Sequence, residues 1–155
     1  MIWEELNPSL IFTQLHAQDY TDVMKQVGGA MTKAGYTKAS YSDALIDREQ
    51  EYPTGLDVDG FGVAIPHTPV EHVNKEGIAI AVLETPIEFI QMGSDDEIVP
   101  VRIVFMLAVA NPQEHIDQLQ RILSIIQDTN VLAKLLAAKA GTDIIEIIKE
   151  KENSL

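Results

Sequence analysis

The chain runs to 155 residues and 17.1 kDa, 46% hydrophobic and 23% charged; this globular mixture predicts one domain over 1–155 that buries roughly 68–70% of its unfolded surface without a structural metal. The absence of cysteine excludes a disulfide framework, thiol catalysis and Cys-based zinc sites, and it fits a cytoplasmic protein. With 11 basic and 24 acidic side chains the net charge is −13, which disfavours nucleic acid and anionic lipid as partners and would attract a basic protein.

No apolar run approaches the ~20 residues of a membrane span, so direct membrane insertion is not expected. Met1-Ile2-Trp3-Glu4-Glu5 lacks the basic and apolar regions of a signal peptide. Leu10-Ile11-Phe12 reads as a short strand. Asp19 can N-cap a helix with Asp22 in its first turn, and Val23, Val27, Ala30, Met31 and Ala34 follow at helical spacing. Gly35 ends that helix as a left-handed cap. A second helix starts at Ser40, carries Leu45, Arg48 and Glu49, and must stop before Pro53. Thr54 to Gly62, rich in Gly and Asp, reads as turn or irregular strand, and Gly62-Val63-Ala64-Ile65 is a short apolar run ending at Pro66-His67.

Gly77 to Leu83 predicts a strand buried on both faces, and Ile87-Glu88-Phe89-Ile90 a short edge strand. Ser94-Asp95-Asp96-Glu97 reads as a solvated loop. Val101 to Val109, apolar except for Arg102, predicts the central strand. The next helix has the clearest start: Asn111 as N-cap, Pro112 at the first helical position and Glu114 three residues after the cap. Ile116, Leu119, Leu123 and Ile126 would form its apolar face, and shorter helices follow near Val131 to Ala138 and Asp143 to Lys151. Strands interleaved with helices argue an α/β fold, or a mixed α+β sandwich, with helices covering a buried sheet.

Of the four histidines, His16 and His72 lie in polar surroundings and read as surface residues. His67 directly follows a short buried strand, where α/β folds gather ligands. His115 sits in the first turn of the Asn111 helix, whose positive end favours an anion and disfavours an imidazolium. Two neutral imidazoles at adjacent strand ends suit transient phosphorylation of a ring nitrogen: the neutral ring keeps the lone pair that attacks, and nearby donors receive the developing charge. The plainer alternative is that each is an ordinary hydrogen-bonding loop histidine. Other chemistries lack their templates. His67 and His72 have no carboxylate spaced to complete a metal site, and there is no His-Glu-x-x-His. P-loop and Gly-x-Ser-x-Gly patterns are absent, and Gly60-Phe61-Gly62 precedes a strand instead of a helix. No metal or cofactor is expected.

The ordered set Arg48-Glu49, Pro53-Thr54-Gly55-Leu56, Val63-Ala64-Ile65-Pro66-His67 and a later helix opening with His115 resembles the enzyme IIA domains of the fructose–mannitol class. These belong to the bacterial phosphoenolpyruvate-dependent sugar phosphotransferase system. The resemblance runs from about Asp19 to Lys149. It implies a mixed sheet of about five strands covered by helices on both faces. It also implies that His67 accepts phosphate through Nε2, that His115 orients or stabilises the phosphoryl group, and that Arg48 binds its oxygens. Thr54 and Thr68 would support the phosphate site. The implied donor is the phosphocarrier HPr, and the acceptor is enzyme IIB, which serves the membrane enzyme IIC. Eleven residues, Leu56 to Pro66, separate Thr54-Gly55 from His67, a spacing that looks like the galactitol branch; the usual Gly after the active His is Thr68 here. The alternative within this class is a nitrogen-type regulatory protein that switches partner binding by phosphorylation of the same His.

Overall fold

The computed structural model describes residues 1–155, the side chain of Glu114 excepted. The architecture follows from one alternating segment. Along β4 (Gly77–Ile90), Ile78, Ile80 and Val82 face one side and Ala79, Ala81 and Leu83 the other, as the two-residue period of a strand requires. β5 (Ile98–Ala108) pairs with it antiparallel, Ile80 opposite Phe105, and alternates in the same way. β1 (Ile11–Leu15) joins β4 in parallel, β3 (Phe61–Ala64) joins β5 in parallel, and β2 (Gly55–Val58) closes a hairpin with β3. The order β1-β4-β5-β3-β2 makes β5 the middle strand of a mixed five-stranded sheet, as its apolar sequence predicts.

Each face of the sheet buries a core. The Ile-rich face packs against α1 (Ile2–Glu5), α4 (Pro112–Ile126), α5 (Thr129–Ala137) and α6 (Gly141–Asn153) through Ile2, Ile122, Ile125, Leu132, Leu135, Ile144 and Ile148. The Ala-rich face packs against α2 (Tyr20–Lys33) and α3 (Tyr41–Glu51) through Val23, Met24, Val27, Met31, Tyr41 and Leu45. Each such fully buried side chain contributes about 1.5–3 kcal/mol, so the two layers carry the fold.

The helix boundaries obey local chemistry. The Asp19 carboxylate accepts from the Asp22 N–H at 2.8 Å. At the far end Gly35 has φ +88°, and Tyr36 and Gly35 N–H groups donate back to the Met31 and Thr32 carbonyls, both at 3.0 Å. Asn111 Oδ1 accepts from the Gln113 N–H at 3.0 Å; the capping role expected of the Glu114 side chain lies outside the described residues.

Four expectations need correction. Thr54 to Gly62 is an ordered hairpin, turned by Asp59 and Gly60 with φ of 48° and 92°, the left-handed pair that matches the strand twist. Ile87–Ile90 is the continuation of β4, not a separate edge strand; a register irregularity between Val82 and Ile87 absorbs Pro86, beyond the point where β1 pairing ends at Leu83. The first strand starts at Ile11, because Pro8–Leu10 form a 3-10 turn. Ile116 is 59% exposed; Ile126 is buried and Leu119 and Leu123 pack half-buried against the core as expected, and Gln118, Ile122 and Ile125 complete the docking face of α4. Among the described residues no helix is long and apolar enough to cross a membrane.

Candidate functional site

β3 delivers His67 to the end of the sheet. Just beyond the strand, the Ile65 N–H donates to the Thr54 carbonyl at 3.3 Å and the Leu107 N–H donates to the Pro66 carbonyl at 2.9 Å. The backbone before His67 is thus gripped from β2's side and from β5. Tyr41, fully buried, donates its hydroxyl to the Leu107 carbonyl at 2.6 Å and braces that grip from α3.

His67 Nδ1 lies 3.0 Å from the Ile65 carbonyl oxygen. A carbonyl can only accept, so Nδ1 carries the proton and the lone pair of the neutral ring falls on Nε2. Burial lowers the His67 pKa below its usual value, opposed by the Ile65 bond and aided by Arg48 and His115. The ring is therefore held neutral, with a defined tautomer.

α4 brings His115 to the same place: the two imidazole centroids are 5.1 Å apart, tilted by 44°. The His115 pKa is also lowered, by burial first and by Arg48 second. Its Nδ1 is buried with no hydrogen-bond partner among the described residues. Two of the first-turn N–H groups are already engaged. Gln113 N–H is taken by the Asn111 side chain, His115 N–H by the Asn111 carbonyl, and Pro112 has none.

Arg48, in the last turn of α3, supplies the positive charge felt by both imidazoles. Its guanidinium lies over the Tyr52 ring, 5.1 Å from the centroid, and its buried Nε has no partner among the described residues. Among those residues no carboxylate pairs with it. A half-buried guanidinium without a close ion pair, beside two neutral imidazoles, has the chemistry to accept an anion.

The remaining expected residues sit differently. Thr54 is buried, and its hydroxyl and N–H both donate to the Glu49 carboxylate at 2.8 and 2.7 Å; its contribution is to hold backbone. Thr68 is buried, its hydroxyl donating to the Pro69 carbonyl at 3.0 Å, and its φ is not in the positive region, so a β-branched residue fits where the class carries Gly. His16 meets Glu84 at 3.2 Å on the surface, and His72 Nδ1 meets the Ser40 hydroxyl at 2.8 Å; neither joins the imidazole pair. Sequence reasoning missed the work of Glu49, Tyr52 and the Ile65 carbonyl. The pairing of Glu49 with Thr54 depends on α3 ending at Glu51 and the backbone reversing through Pro53, which spacing alone does not reveal.

Residues 4–151 match the family model described as "Phosphoenolpyruvate-dependent sugar phosphotransferase system, EIIA 2". Over 118 residues the sequence is 30% identical to the galactitol-specific EIIA component of Escherichia coli (strain K12), covering 76% of this chain and 78% of that protein. It is 26% identical over 144 residues to a nitrogen regulatory protein of Bradyrhizobium diazoefficiens, covering 91% and 90%. The fold matches the crystal structure of IIA mannitol from Escherichia coli with a TM-score of 0.76, 26% identity and coverage of 92% and 98%. It also matches the complex of Escherichia coli enzyme IIA mannitol with phosphorylated enzyme IIB mannitol, with a TM-score of 0.78, 25% identity and coverage of 94% and 97%.

Proposed function

The chain belongs to the EIIA 2 family of the phosphoenolpyruvate-dependent sugar phosphotransferase system, whose members are phosphotransferases, and from that premise we propose that it carries a phosphoryl group on His67 between two partner proteins. HPr would be the donor and enzyme IIB the acceptor, which in turn serves the membrane component IIC. The single observation that carries the reading is the His67 Nδ1–Ile65 carbonyl bond beside the His115 ring. It leaves Nε2 with a lone pair, and His115 and Arg48 stand by to receive charge.

In the transfer, the Nε2 lone pair forms a bond to phosphorus as the donor's N–P bond breaks and returns its electron pair to the donor imidazole. The Nδ1 proton stays, so the phosphorylated ring carries positive charge against the Ile65 carbonyl. Arg48 and the His115 ring donate to the phosphoryl oxygens. Attack by the enzyme IIB nucleophile reverses the process, and the electron pair returns to Nε2. No step requires a metal or cofactor. Tyr52 (60% exposed), Val70 (39%) and Ile116 (59%) stand within a few residues of Arg48, His67 and His115, and such exposed apolar side chains around the site suit protein docking.

The domain, taken as 1–155, would act in the cytoplasm. Galactitol or a related polyol is the substrate class served, supported by the galactitol-specific relative. A regulatory role through the same His is the second reading, supported by the nitrogen regulatory relative. Incubation with phosphoenolpyruvate, enzyme I and HPr should add one acid-labile phosphate, absent from His67→Ala. Persistent labelling of that variant overturns the assignment. His115→Ala should remain folded and accept phosphate at least tenfold more slowly; an unchanged rate removes its role. Onward transfer to a galactitol enzyme IIB separates transport from regulation.

A further inference from the structure

Glu49 follows Arg48 in α3, and its carboxylate is bound to Thr54. It is only 7% exposed, and its two carboxylate oxygens accept from one residue: Oε2 from the Thr54 N–H at 2.7 Å and Oε1 from the Thr54 hydroxyl at 2.8 Å. The Thr54 carbonyl then accepts from the Ile65 N–H at 3.3 Å, and the Ile65 carbonyl accepts from His67 Nδ1 at 3.0 Å. Four residues from α3, the β2 entry and the β3 exit are thereby joined in series. Each bond restrains the residue that makes the next. The last one selects which ring nitrogen of His67 carries the proton.

We propose that Glu49 is a positioning residue for phosphoryl transfer: through Thr54 and Ile65 it holds the Nδ1-protonated tautomer and the orientation of His67. The inference rests on the reading of His67 as the phosphoryl acceptor. Glu49 does not touch the transferred group. The open space it lines is a cavity of about 560 Å³ bounded by Tyr20, Phe89 and Ile98, and neither Arg48, His67 nor His115 borders it. Burying a carboxylate is costly unless its oxygens are satisfied, and here both are spent on orienting one backbone segment.

The donor and acceptor chemistry supplies its own control. In Glu49→Gln the side-chain oxygen can still accept from the Thr54 N–H, while the amide donates to the Thr54 hydroxyl, which can also accept. In Glu49→Ala both bonds are lost. The test measures the His67 ring by ¹⁵N NMR at neutral pH, the rate of phosphoryl acceptance from HPr, and the thermal midpoint, in wild type and variants. Glu49→Ala should lose the single Nδ1–H tautomer and accept phosphate at least tenfold more slowly, whereas Glu49→Gln should keep the wild-type tautomer and stay within about threefold of its rate. A residue that serves stability alone would lower the midpoint and leave the tautomer unchanged; that result overturns the inference, as does a tautomer lost equally in both variants. Should Glu49→Ala not fold, Thr54→Val, which removes one of the two bonds, should populate both tautomers and slow acceptance, and wild-type behaviour there also overturns it. Wild-type protein that is never phosphorylated would fail the functional reading, while the NMR arm would still decide the role of Glu49.

Discussion

Burial, reinforced by Arg48 and His115, pushes the His67 ring toward its neutral form, while the Ile65 carbonyl pulls the other way and loses. His115 is pushed in the same direction by burial and Arg48. The sign of the pH dependence follows. In the unfolded chain both rings bind a proton near the usual ~6.5; in the folded chain they bind one only at lower pH. Between those values the unfolded state holds more protons, so stability is fully present above ~6.5 and is lost as pH falls toward the folded values. Denaturant midpoints taken from pH 7.5 down to 5 should fall more steeply for wild type than for His67→Ala, and parallel curves would contradict the lowered values. Kinetics should show the complement. A free imidazole loses half of its nucleophilic form near pH 6.5, whereas phosphoryl acceptance at His67 should run flat through that point and decline only below it. A half-loss at or above pH 6.5 would mean that the ring is ordinary.

The hairpin that ends in His67 depends on a close approach of backbones. A Cβ added at Gly62 would lie 1.8 Å from the Pro100 carbonyl oxygen, so β3 and β5 pass each other only because that position has no side chain. Gly62→Ala forces the strands apart at a cost of about 1–3 kcal/mol, or roughly 2–12 °C in thermal midpoint for a chain of this size. A midpoint unchanged within a degree would show that the strand shifts freely. This hairpin also marks where the sequence was hard to read. Asp59-Gly60 reads as a breaker when counted by composition, yet its two positive φ values make it the turn that creates the strands. The strand read as ending at Leu83 runs on to Ile90, with a local irregularity between Val82 and Ile87. By contrast, Asp19, Gly35, Asn111 and Pro112 state their helix boundaries openly, because a cap is decided within one turn of chain. Ile116 shows the converse. Period alone put it on the buried face of α4 with Leu119, Leu123 and Ile126, which do pack there, but Ile116 in the first turns of the helix stays exposed, next in sequence to His115.

Long-range order lay further from reach. The strand order β1-β4-β5-β3-β2 is set by which edges find partners, and no periodicity encodes it. The buried Glu152, whose carboxylate accepts from the Ile2 and Trp3 N–H groups at 3.0 and 2.7 Å, ties sequence positions 150 apart. Net charge, however, was legible from the start, and it bears on encounter. The chain carries −13, and α3 alone exposes Asp43, Asp47 and Glu51 on the helix that holds Arg48. A donor with a basic rim is drawn to such a surface before any short-range contact forms, and salt weakens that attraction over a Debye length of about 10 Å at 0.1 M. The second-order rate of labelling by HPr should therefore fall at least about threefold between ~0.02 and ~0.3 M salt, while the final extent on His67 stays at one phosphate. A rate that is flat or rises with salt would mean that charge does not steer the encounter, and that the exposed Tyr52, Val70 and Ile116 side chains carry recognition without it.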